Sequence, residues 1–214
     1  AINEQRNGVV QGTVDTDDND ITNLFDEPIY WPGAGPLIFE TRMKTITSVA
    51  DGETWTGLTD DDDTDEMPIT LSTADVVTSN ATDAVGFAYT GAGTANWKAV
   101  AVKAGVDATP VACNKGHTSV SGTMVTVTTP AITVYQTLRV VVNEDGDADY
   151  YINGSWQARI DNAVTSNTTV FYAPSWGIQS GGTATMDVFY RFNGVDSADA
   201  GREPAESREQ SALF

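Results

Sequence analysis

The chain has 214 residues, and its 30 acidic and 11 basic side chains give a formal net charge of −19. Such a charge repels phosphate backbones and anionic lipid headgroups, which argues against direct binding to nucleic acid or to a membrane. With one cysteine and one histidine, the chain can form neither an internal disulfide nor the usual His/Cys metal centres. No run approaches the roughly 18 apolar residues of a transmembrane helix. The first residues lack the basic and apolar regions of a signal peptide, so we expect folding in a cytoplasm.

The composition changes along the chain and predicts three parts. Residues 1–20 form an N-terminal arm, residues 21–195 form a β-sandwich domain, and residues 196–214 form a C-terminal tail. In the middle part, apolar residues recur with period two among many Thr, Val and Gly residues, which is typical of strands. The tail is polar and charged and has few β-branched residues, as flexible termini do.

The arm contains the run DTDDND, which carries the candidate metal ligands. Asp15, Asp17 and Asn19 have the one-three-five spacing of a calcium loop, but Asp20 stands where such a loop needs glycine. Acidic runs of this kind are more often solvated loops. We therefore predict no metal and no organic cofactor, and a Ca²⁺ site at these three residues remains the alternative.

The first clear strand pattern is LIFETRMK, in which Leu37, Phe39 and Met43 alternate with Glu40 and Arg42. This alternation predicts an amphipathic strand with one face toward a core. Turn residues separate the later candidates by about ten to twenty residues, a spacing typical of sandwiches and jelly rolls. Those candidates lie near residues 85–89, 97–102, 125–129, 137–143, 148–152, 168–173 and 184–192.

Two turn signals define the clearest local structure. Asp145-Gly146 and Asn153-Gly154 separate apolar and aromatic runs, and both dipeptides allow the positive φ of tight hairpin turns. They predict a three-stranded meander over residues 137–160. Asp147 and Asp149 share a face beside the first turn, where we expect a solvated hairpin end.

Tryptophans are the best candidates for binding, because sugars stack on aromatic faces and interfaces use tryptophan anchors. Trp97 and Trp176 lie in strand patterns and are predicted to be core residues. Trp31 lies in the loop YWPGAGP and Trp156 follows the Asn153-Gly154 turn, so these two are predicted to be exposed binding residues.

Catalytic patterns are scarce. No closely spaced glutamate pair lies on a predicted strand, whereas glycoside hydrolysis generally needs two facing carboxylates. The single histidine and the absence of a G-x-S-x-G motif argue against a Ser-His-Asp hydrolase. We therefore predict that the protein is not an enzyme.

The order of several segments resembles the laminin-G/concanavalin A-like sandwich of tailed-phage virion structural proteins. The resemblance covers about residues 36–194 and rests on GPLIFETRMKTIT, TWTGLTD, AVGFAYT with NWKAVAVKAG, YQTLRVVVNEDGDADYYINGSWQARI and TATMDVFYRF. It implies an all-β, two-sheet antiparallel jelly roll with extended N- and C-terminal tails.

The same resemblance implies a head decoration or cement protein on the outer capsid surface, assembled in the host cytoplasm. Its partners would be the major capsid protein, whose subunits it would clamp, and further copies of itself. Leu213 and Phe214 at the end of the tail would supply an apolar anchor on a neighbour. The alternative is a lectin-like carbohydrate-binding module used in adhesion, with Trp31 and Trp156 as stacking platforms for a glycan.

Overall fold

A computed structural model describes most of the sandwich. The described residues are 2–5, 9–14, 20–25, 28–45, 52–61, 63, 65–91, 96–118, 124–126, 134–167, 169–180 and 185–197. In these ranges the regular structure is β-strand, apart from a single 3-10 turn at Pro32–Ala34. None of the helical structure in these ranges is long and apolar enough to cross a membrane.

Within the described ranges, eighteen strands follow one another in chain order. They are β1 Ile2–Gln5, β2 Val9–Thr13, β3 Asp20–Phe25, β4 Leu37–Thr45, β5 Gly52–Thr59, β6 Ile69–Leu71, β7 Val77–Ser79, β8 Ala84–Thr90, β9 Lys98–Lys103, β10 Val106–Asp107, β11 Val111–Ala112, β12 Gly116–Thr118, β13 Met124–Thr126, β14 Gln136–Val142, β15 Ala148–Ile152, β16 Ser155–Ile160, β17 Ala173–Ser180 and β18 Thr185–Ser197.

The strands form two large antiparallel sheets. Sheet one has the order β1-β2-β18-β4-β14-β15-β16, and sheet two has the order β10-β9-β8-β5-β17-β3, with β11 also paired to β9. The pairs β6-β7 and β12-β13 are separate hairpins. The predicted two-sheet, all-β class is confirmed. Strands β1 and β2, which lie within the predicted arm, pair at the edge of sheet one, and the division into three parts stays a prediction.

The core lies between the two sheets because alternate residues of each strand point inward. Hydrogen bonds between described residues join the layers within this core. Trp176 Nε1 donates to Thr41 Oγ1 over 2.9 Å, Trp97 Nε1 to Gln136 Oε1 over 3.2 Å, and Tyr150 Oη to the Val100 carbonyl over 2.8 Å. Both tryptophans predicted to be core residues are buried. Among the apolar core residues are Leu37, Phe39, Met43, Leu138, Val140, Val142, Ile152, Val85, Phe87, Tyr89 and Ile178.

The predicted meander is confirmed as β14, β15 and β16. Asn153 and Gly154 connect β15 to β16, and both have positive φ, 51° and 80°. This is the geometry of the two-residue hairpin turn that Asn-Gly favours. Because the turn fixes the register, it decides which residues of β15 and β16 face away from the core.

A second apolar cluster covers the outer face of sheet two. Trp55 lies on this face, and its indole passes close to Gly57 and Gly86, where a Cβ atom would come within 2.9 and 2.8 Å of the ring. Its Nε1 donates to Ser175 Oγ over 2.6 Å. The β6-β7 hairpin closes the cluster from outside. Its members include Trp55, Met67, Ile69, Leu71, Val77, Ala84, Ala88, Val100 and Val102.

Candidate functional site

The outer face of sheet one carries charged and aromatic side chains. They occupy the positions of β4, β14 and β15 that alternate with the core residues, and they are half-buried or exposed. Tyr135, just before β14, and Lys115, just before β12, extend this surface. We call it the cation–aromatic face and define it by seven residues, which are Arg42, Lys44, Lys115, Tyr135, Arg139, Tyr151 and Trp156.

A single row of residues crosses this face from strand to strand. Glu40 of β4 is opposite Arg139 of β14, and Arg139 is opposite Tyr151 of β15. Tyr151 is in turn opposite Trp156 of β16. Directly opposed residues share a face of the sheet and lie within contact distance. The row therefore spans three strand spacings, about 14 Å.

A β-bulge turns the Trp156 side chain onto the outer face of sheet one, where it joins this row. Tyr150 pairs with Ala158 and Tyr151 pairs with Trp156, which leaves Gln157 as the extra residue on β16. Ala158 and Ile160 belong to the core, so strict alternation would also turn Trp156 inward. The bulge reverses that orientation, and Trp156 is 43% exposed.

Three contacts fix the Trp156 indole and place a cation on it. Its Nε1 donates to Asp149 Oδ1 over 2.9 Å. The buried Gln157 accepts a hydrogen bond from the Lys115 backbone N–H at 3.0 Å. The Lys115 ammonium then lies 3.3 Å from the centroid of the Trp156 ring. The bulge thus positions both the ring and the cation beside it.

The other two rings of the face also have cations beside them. Arg42 Cζ lies 5.2 Å and Lys44 Nζ lies 4.9 Å from the Tyr135 ring centroid. Arg139 Cζ lies 5.8 Å from the Tyr151 centroid. Cations within about 6 Å of an aromatic face are attracted by the ring quadrupole. Four basic groups are thereby held along the face.

Acidic side chains surround Arg159 at the far end of β16. Its guanidinium contacts Asp147 at 2.6 Å, Asp161 at 2.7 Å and Asp149 at 3.0 Å. The pKa of Asp147 is lowered, chiefly because the Asn162 backbone N–H donates to it and further because of Asn143 and Arg159. This end is therefore an ion-pair cluster whose charge Arg159 only partly balances.

Two carboxylates elsewhere, the buried Asp83 and the half-buried Asp60, have structural roles. Asp83 accepts hydrogen bonds from the backbone N–H groups of Thr165 at 2.7 Å and Ala104 at 3.2 Å, and it contacts the Tyr172 hydroxyl. Asp60 accepts from the N–H groups of Thr82 and Asp83, and burial raises its pKa. Both carboxylates thus join loops at one end of the sandwich.

The structure places the two predicted binding tryptophans in different settings. Trp156 lies on the cation–aromatic face, as described above. Trp31 packs edge to face on Phe171, with 5.5 Å between ring centroids, beside the bridge between Tyr30 and Tyr172. Within the described part of the chain, no contact joins Trp31 to Trp156. Their role in binding stays a prediction.

The remaining predicted site residues lie outside the described residues. These are the calcium candidates Asp15, Asp17 and Asn19 and the tail residues Leu213 and Phe214. Across the ranges that the structure does describe, no three His, Cys, Asp or Glu side chains are grouped as a metal ion would require.

Sequence reasoning missed Arg139, Tyr151, Tyr135 and Lys115 as site residues. A signal existed for Arg139 and Tyr151. The alternation in TLRVVV and ADYYI places them on the face of the strand that points away from the core, next in sequence to the core residues Val140 and Tyr150. Lys115 carried no such signal. Its position depends on the bulge at Gln157, which changes the register without a characteristic residue pattern.

The chain matches no protein-family model and no curated protein sequence, but its structure is similar to many solved ones. A prokaryotic β-1,3-1,4-glucanase (lichenase) from a mouse hindgut metagenome aligns with a TM-score of 0.58 and 10% identity, over 92% of this chain and 83% of that one. Alginate lyase A1-II', a member of polysaccharide lyase family 7, gives 0.55 and 11%, over 92% and 82%. An endo-β-1,4-glucuronan lyase from the fungus Trichoderma reesei gives 0.54 and 7%, over 91% and 85%.

These similarities correct the prediction that the protein is not an enzyme, because these neighbours are themselves polysaccharide-cleaving enzymes. Catalytic side chains can also come together across neighbouring strands, which the pattern of a single strand does not reveal. At such low identity the neighbours establish the fold alone, because one fold hosts many functions. The chain has a jelly-roll sandwich fold similar to the folds of these glucanases and lyases.

Proposed function

We propose that the protein acts on polysaccharides and binds them along the cation–aromatic face of sheet one. One observation carries the proposal: a row of ionic and aromatic side chains, from Glu40 through Arg139 and Tyr151 to Trp156, crosses the outer face of sheet one. Sugar rings stack on aromatic faces, and ionic side chains bond sugar hydroxyl groups. A row of about 14 Å has the length of a short oligosaccharide.

The fixed geometry of the row supports binding with little loss of side-chain freedom. Trp156 is held by Asp149 and by the bulge, and Arg139 lies against Tyr151. Side chains that are already ordered lose less entropy when a ligand arrives. The enzymes with this fold named above are glucanases and lyases of alginate and glucuronan, which agrees with a polysaccharide ligand.

The test is an affinity measurement on a panel of plant, algal and bacterial polysaccharides with the full chain and two tryptophan variants. We expect Trp156→Ala to weaken binding about tenfold or more, since tenfold corresponds to about 1.4 kcal/mol. Trp31→Ala is the matched control, because Trp31 packs on Phe171 away from the row. Chain cleavage is followed in the same samples by reducing ends and by ultraviolet absorbance of new double bonds.

Three outcomes would contradict the proposal. These are no binding to any polysaccharide, equal losses in both tryptophan variants, or a loss confined to Trp31→Ala. Melting curves of both variants are needed alongside, so that a loss of folded protein is not read as a loss of affinity.

The role on a tailed-phage capsid stays a prediction. It includes the outer capsid surface as location, the major capsid protein as partner and a homo-oligomer as the assembled form. A polysaccharide-binding face is compatible with a virion component that meets a bacterial surface. Mass spectrometry and electron microscopy of purified particles from the source would test it directly.

A further inference from the structure

We infer that Lys115 covers one side of the Trp156 ring in the free protein, and that a sugar must displace the Lys115 ammonium before it can stack there. The inference rests on the proposed function and adds how ligand access to that site is regulated. It depends on the contacts of these two residues and on which of them is free to move.

The Lys115 ammonium occupies the place that a stacked sugar needs. Its Nζ lies 3.3 Å from the centroid of the Trp156 ring. Non-bonded carbon atoms pack at about 3.5–4.0 Å, so a sugar cannot stack on this side of the ring while the ammonium is there. Lys115 is itself exposed, which places its ammonium between the ring and the solvent.

The indole is held in place and cannot turn its covered side outward. Its Nε1 donates to Asp149 Oδ1 over 2.9 Å, and a rotation of the ring would break this bond. The bulge at Gln157 also sets the direction in which the Trp156 side chain leaves the strand. The lysine is therefore the part that has to move when a ligand binds.

Lys115 is anchored at its backbone and mobile at its tip. The backbone N–H donates to Oε1 of the buried Gln157 over 3.0 Å. Its ammonium contacts the Trp156 ring and forms no ion pair with any residue that the structure describes. Because a lysine stem is flexible, the ammonium can leave the ring while the backbone stays in place.

The strength of this contact sets the size of the effect. A cation on an exposed aromatic ring is held weakly, so Lys115 lowers the affinity for a sugar without closing the site. We expect its removal to tighten binding of a neutral polysaccharide about two- to fivefold, which converts to about 0.4–1 kcal/mol. If Lys115 only supported the structure of the site, its removal would weaken binding. The sign of the change therefore separates the two roles.

The first experiment tests the cover without any ligand, by acrylamide quenching of tryptophan fluorescence in a Trp31→Phe background. In that background every tryptophan other than Trp156 is buried, so the quenching reports mainly on Trp156. Lys115→Ala should raise the quenching constant about 1.5-fold or more, because one side of the ring is uncovered. Lys115→Arg should leave the constant unchanged, since a guanidinium also lies on aromatic faces.

The second experiment measures binding by calorimetry with the full chain and three neutral polymers, barley β-glucan, laminarin and guar galactomannan. Neutral ligands are used because the loss of a positive charge does not itself change their attraction to the protein. Lys115→Ala should tighten binding about two- to fivefold, and Lys115→Arg should not. Lys103→Ala is the matched charge control, because Lys103 lies on β9 of sheet two and contacts Asn162.

The outcomes separate this inference from the proposed function. Equal quenching with and without Lys115 would overturn the cover. Raised quenching with unchanged or weaker binding that still depends on Trp156 would overturn the displacement and leave the polysaccharide site standing. An equal gain of affinity in Lys103→Ala would assign the effect to net charge and overturn the inference. If none of the three polymers bound to any form, the displacement would be overturned, and the wider polysaccharide panel would decide whether a site exists.

Discussion

The two outer faces of the sandwich differ in what covers them. On sheet two, Trp55 and its neighbours on β8 and β9 are buried beneath the β6-β7 hairpin. On sheet one, the positions facing outward hold side chains such as Arg42, Tyr151 and Trp156, which are half-buried or exposed. A sheet covered by its own chain cannot accept a long ligand, so the difference supports placing the proposed polysaccharide site on sheet one.

The cause of this difference is visible in the strands themselves. In β8, AVGFAYT, both alternating sets are small or apolar, and every residue is buried. In β14, QTLRVVV, buried and half-buried residues alternate strictly. Strands buried on both faces carry continuous apolar runs, whereas half-solvated antiparallel strands alternate. The two patterns thus encode one closed face and one open face.

The largest expected effect on stability comes from disturbing the packing on the closed outer face of sheet two. At Gly86 a Cβ atom would lie 2.3 Å from the Thr56 carbonyl oxygen and 2.8 Å from Trp55 Cη2. We expect Gly86→Ala to destabilise the protein by roughly 3 kcal/mol or to prevent soluble folding, since backbone and a buried ring must both move. Chemical denaturation of the purified variant measures this.

Gly105→Ala is the control for that experiment. Gly105 has a φ of +73° but nothing within 4 Å of its added Cβ. Its replacement should cost about 1 kcal/mol from backbone strain alone. Similar losses in both variants would show that Trp55 is not packed against Gly86.

The hairpin and the open face can be compared directly by truncating one side chain in each. Leu71 of β6 is buried in the second cluster, so Leu71→Ala should destabilise by about 2–4 kcal/mol. Val141 of β14 is half-buried on the outer face of sheet one, and Val141→Ala should lower stability by about 1 kcal/mol or less. Thermal and urea melts test the pair, and a small effect at Leu71 would mean that the hairpin is not part of the cooperative core.

Much of this fold could be predicted from the sequence, because strand alternation and the Asn153-Gly154 turn are local signals. The meander and the buried Trp97 and Trp176 follow from them. The closed face was not predicted, since covering Trp55 depends on a hairpin whose contacts are distant in sequence. The site was predicted only through Trp156, and its partners depend on cross-strand register and on a bulge that no residue pattern marks.

Glu53 on sheet two and Asp147 beside sheet one have pKa values shifted in opposite directions. Changing either carboxylate gives the smallest expected effect on stability. Glu53 of β5 is half-buried, and in the described structure its Oε2 is buried without a hydrogen-bond partner. Burial raises its pKa above the ordinary value of 4.5, against a smaller opposing contribution from the Leu71 backbone N–H. Asp147 beside sheet one has a lowered pKa, chiefly because the Asn162 N–H donates to it.

The raised pKa of Glu53 means that the folded protein holds its proton to higher pH than the unfolded chain does. The contribution of the Glu53 carboxyl group to stability is fully present below pH 4.5. It falls as the pH rises through the pKa of Glu53 in the folded protein, and it stays low above that pKa. Glu53→Gln should therefore stabilise the protein at pH 7, on the order of 0.5 kcal/mol after solvent screening, with the gap closing near pH 4. Asp147→Asn should do the reverse, because the lowered pKa stabilises the folded state at neutral pH and that contribution is lost as pH falls through the folded value. Urea melts of both variants at several pH values measure the two gaps, and gaps of the same sign at pH 7 would contradict the assigned environments.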